Sequence, residues 1–149
     1  LARTRTPVVS GWFTDGPDGF RLLGTRCSAC AAVFFPREDA YCRNPRCPGG
    51  GSLVEVPLSA RGRVWSYTDG RYRPPAPYVS DPDVPWEPYT LVAVELEAEG
   101  MVVLGQAAPG VTPAALAVGM EVEVVGGVLH EDAGTTWTTW RFRPVEGAR

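Results

Sequence analysis

The chain holds 149 residues, 44% of them hydrophobic, with 14 cations against 17 acids and a formal net charge of −3. Every cation is an arginine, and the absence of lysine excludes Schiff-base chemistry and any phosphate loop built on a lysine. That length suits one ordinary domain, or a small metal-stapled module beside a domain with its own core. Charge is uneven: residues 1–60 carry seven arginines against five acids, and residues 61–149 carry seven against twelve. The sequence shows no charged leader and no apolar run of signal or membrane length, so a cytoplasmic protein with reduced thiols is expected. It opens on Leu1, as expected of a processed or trimmed protein or of a domain cut from a longer polypeptide.

Residues 1–20 form an aromatic leading segment. In "SGWFTDGPDGF" the glycines and Pro17 limit any helix to a turn or two around Trp12 and Phe13. Those two rings need cover, either from the chain's own core or from a partner.

Residues 21–52 read as a metal ribbon. All four cysteines fall between residues 27 and 47 as two close pairs, Cys27/Cys30 and Cys42/Cys47. A Cys-x-x-Cys turn aims both sulfurs at one point, and a second short turn completes a tetrahedral thiolate site of the structural Zn2+ kind. Four thiolates also suit iron, and two disulfides are the other use of four cysteines. "FRLLGTRC" reads as a strand entering the first turn, "AVFFPRED" as the strand returning from it, and "PGGGS" as a flexible exit. "LVEVPLS" reads as a short strand leading away. Such a ribbon has little core, and zinc supplies on the order of 10–16 kcal/mol to motifs of this kind.

Residues 53–149 read as β. "RGRVWSYT" has strand character, and "YTLVAVELE" alternates, with Thr90, Val92, Val94 and Leu96 on one face and Glu95 and Glu97 on the other. "GMVVLGQ" follows as its hairpin partner. "VTPAALAVGMEVEVV" gives a short helical or irregular crossing, then a strand with Val122 and Val124 facing in. "TTWTTWRFRPV" pairs back on "EVEVVGGVL" across the turn "HEDAG". Five strands with one long loop after the first predict a small OB-type barrel; an open sheet or an SH3-like barrel is the alternative.

The order of these pieces, "RLLGTRCSAC", "FFPRED", the second cysteine pair, "RGRVWSYT", "YTLVAVELE", "VGMEVEV" and "WRFRPV", resembles the family first labelled domain of unknown function 35. That resemblance implies a mainly β chain, a rubredoxin-like zinc ribbon followed by a five-stranded OB-fold. Two departures stand out. Ala31 occupies the usual glycine position after the first cysteine pair, where a side chain resists positive φ. The second pair is Cys-x4-Cys where Cys-x-x-Cys is commoner, so spacing supports Cys47 least.

The resemblance implies an accessory partner of thiolase-fold enzymes acting on acyl-CoA thioesters. Within the family, "CRNPRC" is similar to the C-terminal domain fused to MaoC-like hydratase subunits in actinobacterial steroid side-chain degradation. There the partner is a lipid-transfer-type thiolase homologue that performs a retro-aldol cleavage. Under this reading coenzyme A thioester is the substrate of a complex, and its phosphates would suit Arg61, Arg63, Arg71, Arg73, Arg141 or Arg143, with Arg37, Arg43 and Arg46 as a competing set. The plainer reading of these arginines is a solvated surface balanced by acids.

The residues themselves offer little chemistry. The one histidine, His130, is expected in a turn, and a closed thiolate site leaves no open metal position. No catalytic residue is assigned. The loop at residues 69–89, with six prolines and the aromatics Tyr72, Tyr78, Trp86 and Tyr89, is a docking surface or a cover for the barrel mouth. Partner-contact candidates are therefore Trp12, Phe13, Tyr72, Tyr78 and Trp86. The alternative function for an OB-fold is binding single-stranded nucleic acid, which the acidic balance of residues 61–149 disfavours.

Overall fold

A computed structural model describes residues 2–78 and 80–147. In chain order its strands are β1 (Thr4–Pro7), β2 (Phe13–Gly16), β3 (Gly19–Cys27), β4 (Val33–Phe34), β5 (Leu53–Pro57), β6 (Arg61–Gly70), β7 (Tyr89–Leu96), β8 (Met101–Ala107), β9 (Glu121–Glu131) and β10 (Thr135–Pro144).

The last five strands close a barrel. β6 pairs antiparallel with β7, β7 with β8 and β9 with β10, while β8 meets β10 in parallel and β6 meets β9 to complete the circuit. This is the OB arrangement, and closure removes the open-sheet alternative. The predicted alternation holds along β7: Thr90, Val92, Val94 and Leu96 are all buried. Val92, Val94 and Leu96 meet Val64, Val103, Val122, Val124 and Phe142 in one core. Gly62 shows why the first barrel strand begins on Gly-x-Val: a Cβ there would lie 2.4 Å from the Glu95 carbonyl oxygen, so only glycine lets β6 approach β7 this closely. The crossing between β8 and β9 is a 3-10 turn, Pro113–Ala115, followed by buried Leu116.

The ribbon is seated on the barrel. Leu22 of β3 and Leu58 just after β5 are fully buried in the same core as the barrel strands. Beside them, Trp12 and Phe13 tilt against the barrel's Trp140 and Phe35 meets it edge-on, with ring centroids 5.7–6.2 Å apart across the group, and Phe20 stacks on Phe13 at 5.4 Å. Edge and tilted contacts of this kind are favourable beyond the area they bury.

Three local expectations change, and one strand, β1, lies where the sequence pattern gives no sign of it. Around Trp12 and Phe13 the chain forms a β-hairpin, β2 on β3, turning at Pro17 and Asp18. β5 does not lead away; it returns to pair with β3 from Leu53↔Cys27 to Pro57↔Leu23. β1 lies parallel to β10, Thr4 opposite Thr135, a pairing too distant in sequence for local pattern to reveal. His130 lies in β9, paired across to Trp137, and the turn begins only at Asp132. Among the described residues no helix is long and apolar enough to cross a membrane.

Candidate metal centre and the surfaces around it

The end of β3 delivers Cys27, and the knuckle that follows delivers Cys30. The second turn, "CRNPRC", is closed by Asn44: its carbonyl oxygen accepts from the Cys47 N–H at 3.0 Å and its Oδ1 from the Arg46 N–H at 3.0 Å. That bracing lets four intervening residues do what two usually do. Cys47 Sγ lies 3.8 Å from Cys27 Sγ, Cys30 Sγ lies 3.6 Å from Cys42 Sγ, and all four sulfurs fall within 4.8 Å of one another.

These spacings decide between the uses of the cysteines. A disulfide needs sulfurs about 2.05 Å apart, so neither pair is bonded. A tetrahedron of metal–sulfur bonds of about 2.3 Å has edges of about 3.8 Å. Cys27, Cys30, Cys42 and Cys47 therefore fit one metal ion, and Cys47 belongs with the other three. Zn2+ bound here would have four protein ligands and no position for water, which makes it structural. Among these crowded sulfurs the Ala32 backbone N–H and the Asn44 side chain lower the Cys30 pKa to about 6, while burial and the neighbouring sulfurs push Cys42 up to about 12 and Cys47 up as well. Ala31 takes φ +64°, the strained conformation expected where a glycine is replaced.

The ribbon is held in place by Thr25 and Ser59, which sequence pattern did not single out, and by Arg37, which it offered only as a phosphate candidate. Buried Thr25 donates its hydroxyl to the Glu38 carbonyl oxygen at 2.7 Å and accepts from the Glu38 N–H at 3.0 Å, tying β3 to the returning segment. Arg37 donates to the Gly11 carbonyl at 2.9 Å and pairs with Glu55 at 2.7 Å and Asp39 at 2.9 Å. Those bonds, Asp39 first, raise its pKa. At the barrel, the Ser59 N–H and hydroxyl both donate to Glu99, at 2.6 and 2.8 Å, fastening the linker before β6 to the β7–β8 turn. A lone Ser or Glu gives no sequence signal for such a long-range bond.

Three of the arginine candidates share one side of the barrel: Arg61 of β6 and Arg143 of β10 both lie opposite Glu123, and Arg63 lies opposite Glu121, while Arg71 and Arg73 fall in the β6–β7 loop. Arg61 pairs with Glu121 at 3.5 Å and Arg63 donates to the Gly119 carbonyl at 3.0 Å, in a shallow pocket also lined by Glu95 and Glu97. Arg71 pairs with Asp69 at 2.8 Å, Arg143 with Glu123 at 2.9 Å, and Arg43 with Glu38. Arg73 braces the long loop: it donates to Ser80 Oγ at 2.8 Å and to the Asp81 and Val84 carbonyls, and lies over the Trp86 ring at 5.5 Å. Arg141 donates to Gln106 Oε1 at 2.6 Å and the Val128 carbonyl at 2.7 Å, and burial lowers its pKa. Arg46 is exposed on the ribbon.

The aromatic candidates divide. Trp12 and Phe13 are half-buried in the cluster on Trp140. Trp86 anchors the loop, its Nε1–H donating to the Gly70 carbonyl at 3.1 Å and its ring between Tyr78 and Tyr89. Tyr72 is 77% exposed and Tyr78 37%. The described residues of the loop are braced by Arg73 and Trp86, and Tyr72 is left on the surface.

A closed four-thiolate ribbon sharing a core with a five-stranded OB barrel defines a metal-stapled binding module. Residues 14–54 match the family model described as "ChsH2, rubredoxin-like zinc ribbon domain". Over 142 residues, 93% of this chain and 92% of the relative, the sequence is 31% identical to a "DUF35 domain-containing scaffold protein" of Methanocaldococcus jannaschii. A scaffold protein of the same description from Methanothermobacter thermautotrophicus is 31% identical over 144 residues, 93% of this chain and 97% of the relative. A solved structure described as "Ltp2-ChsH2(DUF35) aldolase" contains a similar chain, with a TM-score of 0.55 and 30% identity over 83% of this chain and 84% of that one. The chain belongs to the DUF35 family.

Proposed function

We propose that this chain is a non-catalytic accessory subunit of a thiolase-like, lipid-transfer-type acyl-CoA enzyme, and that the complex is a retro-aldolase cleaving a steroid side-chain CoA thioester. The observation that carries the reading is likeness over nearly the whole chain both to scaffold proteins and to a chain of an aldolase. The residues support it. A retro-aldol cleavage breaks the Cα–Cβ bond of a β-hydroxyacyl thioester, and needs a base for the hydroxyl proton and a donor for the enolate carbon. Here the four thiols are drawn into one metal centre, His130 sits in a strand beside Trp137, and Glu131 and Asp132 are engaged by Thr136 and Trp137. The partner would supply the acid–base groups, while this chain stabilises it and forms part of the acyl-CoA access path. An associated or fused MaoC-like hydratase would supply the β-hydroxyacyl substrate by hydration. The complex would work in the cytoplasm, where reduced cysteines keep their metal.

The test is reconstitution. The source organism's subunit most similar to Ltp2 is purified alone and after co-expression with this chain, then assayed with a steroid side-chain β-hydroxyacyl-CoA. Cleavage by the co-expressed pair and none by this chain alone is the expected result. Turnover by this chain alone overturns the accessory role, and a pair that cleaves other acyl-CoA thioesters but no steroid substrate overturns the steroid assignment.

A further inference from the structure

A closed barrel should be apolar inside and polar outside. One part of this barrel follows the rule. On the outer surface of β6, β9 and β10, Arg143 pairs with Glu123 and Arg61 with Glu121. The outer surface of β7 and β8 does not. Along β8 the inward residues are Val103, Gly105 and Ala107, and the outward ones are Val102, Leu104 and Gln106. Leu104 is 67% exposed and Val102 40%. Trp65, at the β-bulge opposite Ala93, is 59% exposed. At the β9–β10 end Leu129 is 43% exposed and joins Leu91, Leu104 and Trp140 around an apolar slot of about 240 Å³.

An OB-fold commonly binds its ligand on the outer face of its second and third strands, between the first long loop and the last hairpin. In this chain those are β7, β8, the β6–β7 loop and the β9–β10 turn. Single-stranded nucleic acid needs cations tracking a backbone there. This face is mainly aliphatic, with the acid Glu95 on β7, and the arginines around it are already engaged: Arg141 by Gln106 and the Val128 carbonyl, Arg63 by the Gly119 carbonyl, Arg71 by Asp69 and Arg73 by Ser80. The barrel half carries twelve acids against seven arginines, so two copies set face to face would bring like charge together.

We propose that the outer face of β7 and β8, centred on Leu104, is the surface on which this chain docks its aldolase-type partner, through an apolar patch rimmed with Lys or Arg on that partner. This rests on the accessory reading above and assigns it a face. A buried aliphatic at the centre of such a contact is where a charge does most damage.

The experiment compares the 149-residue chain with Leu104→Asp and with Val54→Asp, a 52% exposed ribbon residue away from the barrel face. Binding to the Ltp2-like subunit is measured by calorimetry, with zinc content and circular dichroism as checks that each variant is folded. Leu104→Asp is expected to weaken binding at least about 100-fold, and Val54→Asp to leave it within about twofold. Full binding by folded Leu104→Asp overturns the proposed face while leaving the accessory reading standing, and loss confined to Val54→Asp moves the dock to the ribbon. A parent chain that does not bind the subunit overturns both. Parallel anisotropy with an oligo-dT probe and sedimentation of the free chain cover the other occupants: tight binding of the probe, or self-association, abolished by Leu104→Asp assigns the face to nucleic acid or to a second copy and overturns the proposal.

Discussion

Replacing Ala31 with glycine should tighten the metal ribbon. Ala31 sits at φ +64° with its N–H donating to the Cys27 carbonyl at 2.8 Å, so the knuckle that orients Cys27 and Cys30 requires this backbone shape. Its side chain is exposed, and removing it loses no packing. A left-handed conformation costs a residue with a Cβ about 1–2 kcal/mol. Glycine gives back roughly 0.4–1 kcal/mol of that through the greater freedom of the unfolded chain. The net gain is about 0.5–1 kcal/mol, or about two- to fivefold at about 1.4 kcal/mol per factor of ten. Because a structural metal binds the folded ribbon and not the unfolded chain, the gain should appear as metal affinity. The assay is competition for zinc with a chromophoric chelator, run on Ala31→Gly, the parent and Ala31→Val. Valine, β-branched, should release zinc most readily and glycine least. Equal affinity in all three, or weakest affinity in the glycine variant, would refute the idea that this knuckle is strained.

Other outcomes follow from single contacts. Thr25→Val leaves both the N–H and the carbonyl of Glu38 without their hydroxyl partner, and should destabilise the ribbon by about 1–3 kcal/mol in urea unfolding. Trp140→Ala removes the ring against which Trp12, Phe13 and Phe35 pack, and should cost about 3–5 kcal/mol; separate ribbon and barrel transitions are expected by paired zinc-release and circular-dichroism measurements. Asp132 accepts from the Trp137 indole N–H and from the Gly134 and Thr135 N–H groups, which hold its pKa below the ordinary 3.8. Its folded pKa being the lower one, its contribution is present above pH 3.8 and is lost as pH falls through the depressed value. The Trp137 indole proton, followed by NMR, should therefore keep its bonded shift below pH 3.8; a midpoint at or above that value would contradict the hairpin geometry.

What could be read in advance was local. Cysteine spacing is set by metal geometry, so the ribbon declared itself; alternation is set by strand geometry, so β7 did too. The closed-barrel order was legible through strand number and loop lengths together with family resemblance. β1 was not, because "TRTP" has no alternation to detect and its stability comes from β10, more than a hundred residues away. The same holds for Thr25, Arg37 and Glu99, whose partners lie 13 to 40 residues off. The arginines were the hardest to judge, since charge alone does not say which guanidinium is free: Arg73 turned out to brace a loop, and Arg141 to lie half-buried. The apolar face of β7 and β8 was visible only once strand parity was known, because "MVVLGQA" reads equally as a strand buried on both sides.

The most direct measurement of the account is the mass and activity of the complex. This chain, co-expressed with the Ltp2-like subunit and purified by a tag on one of them, should yield both in a fixed ratio, with retro-aldol cleavage in that fraction and none in this chain alone. A monodisperse chain that leaves the subunit behind, or one that cleaves the thioester without it, would contradict the account.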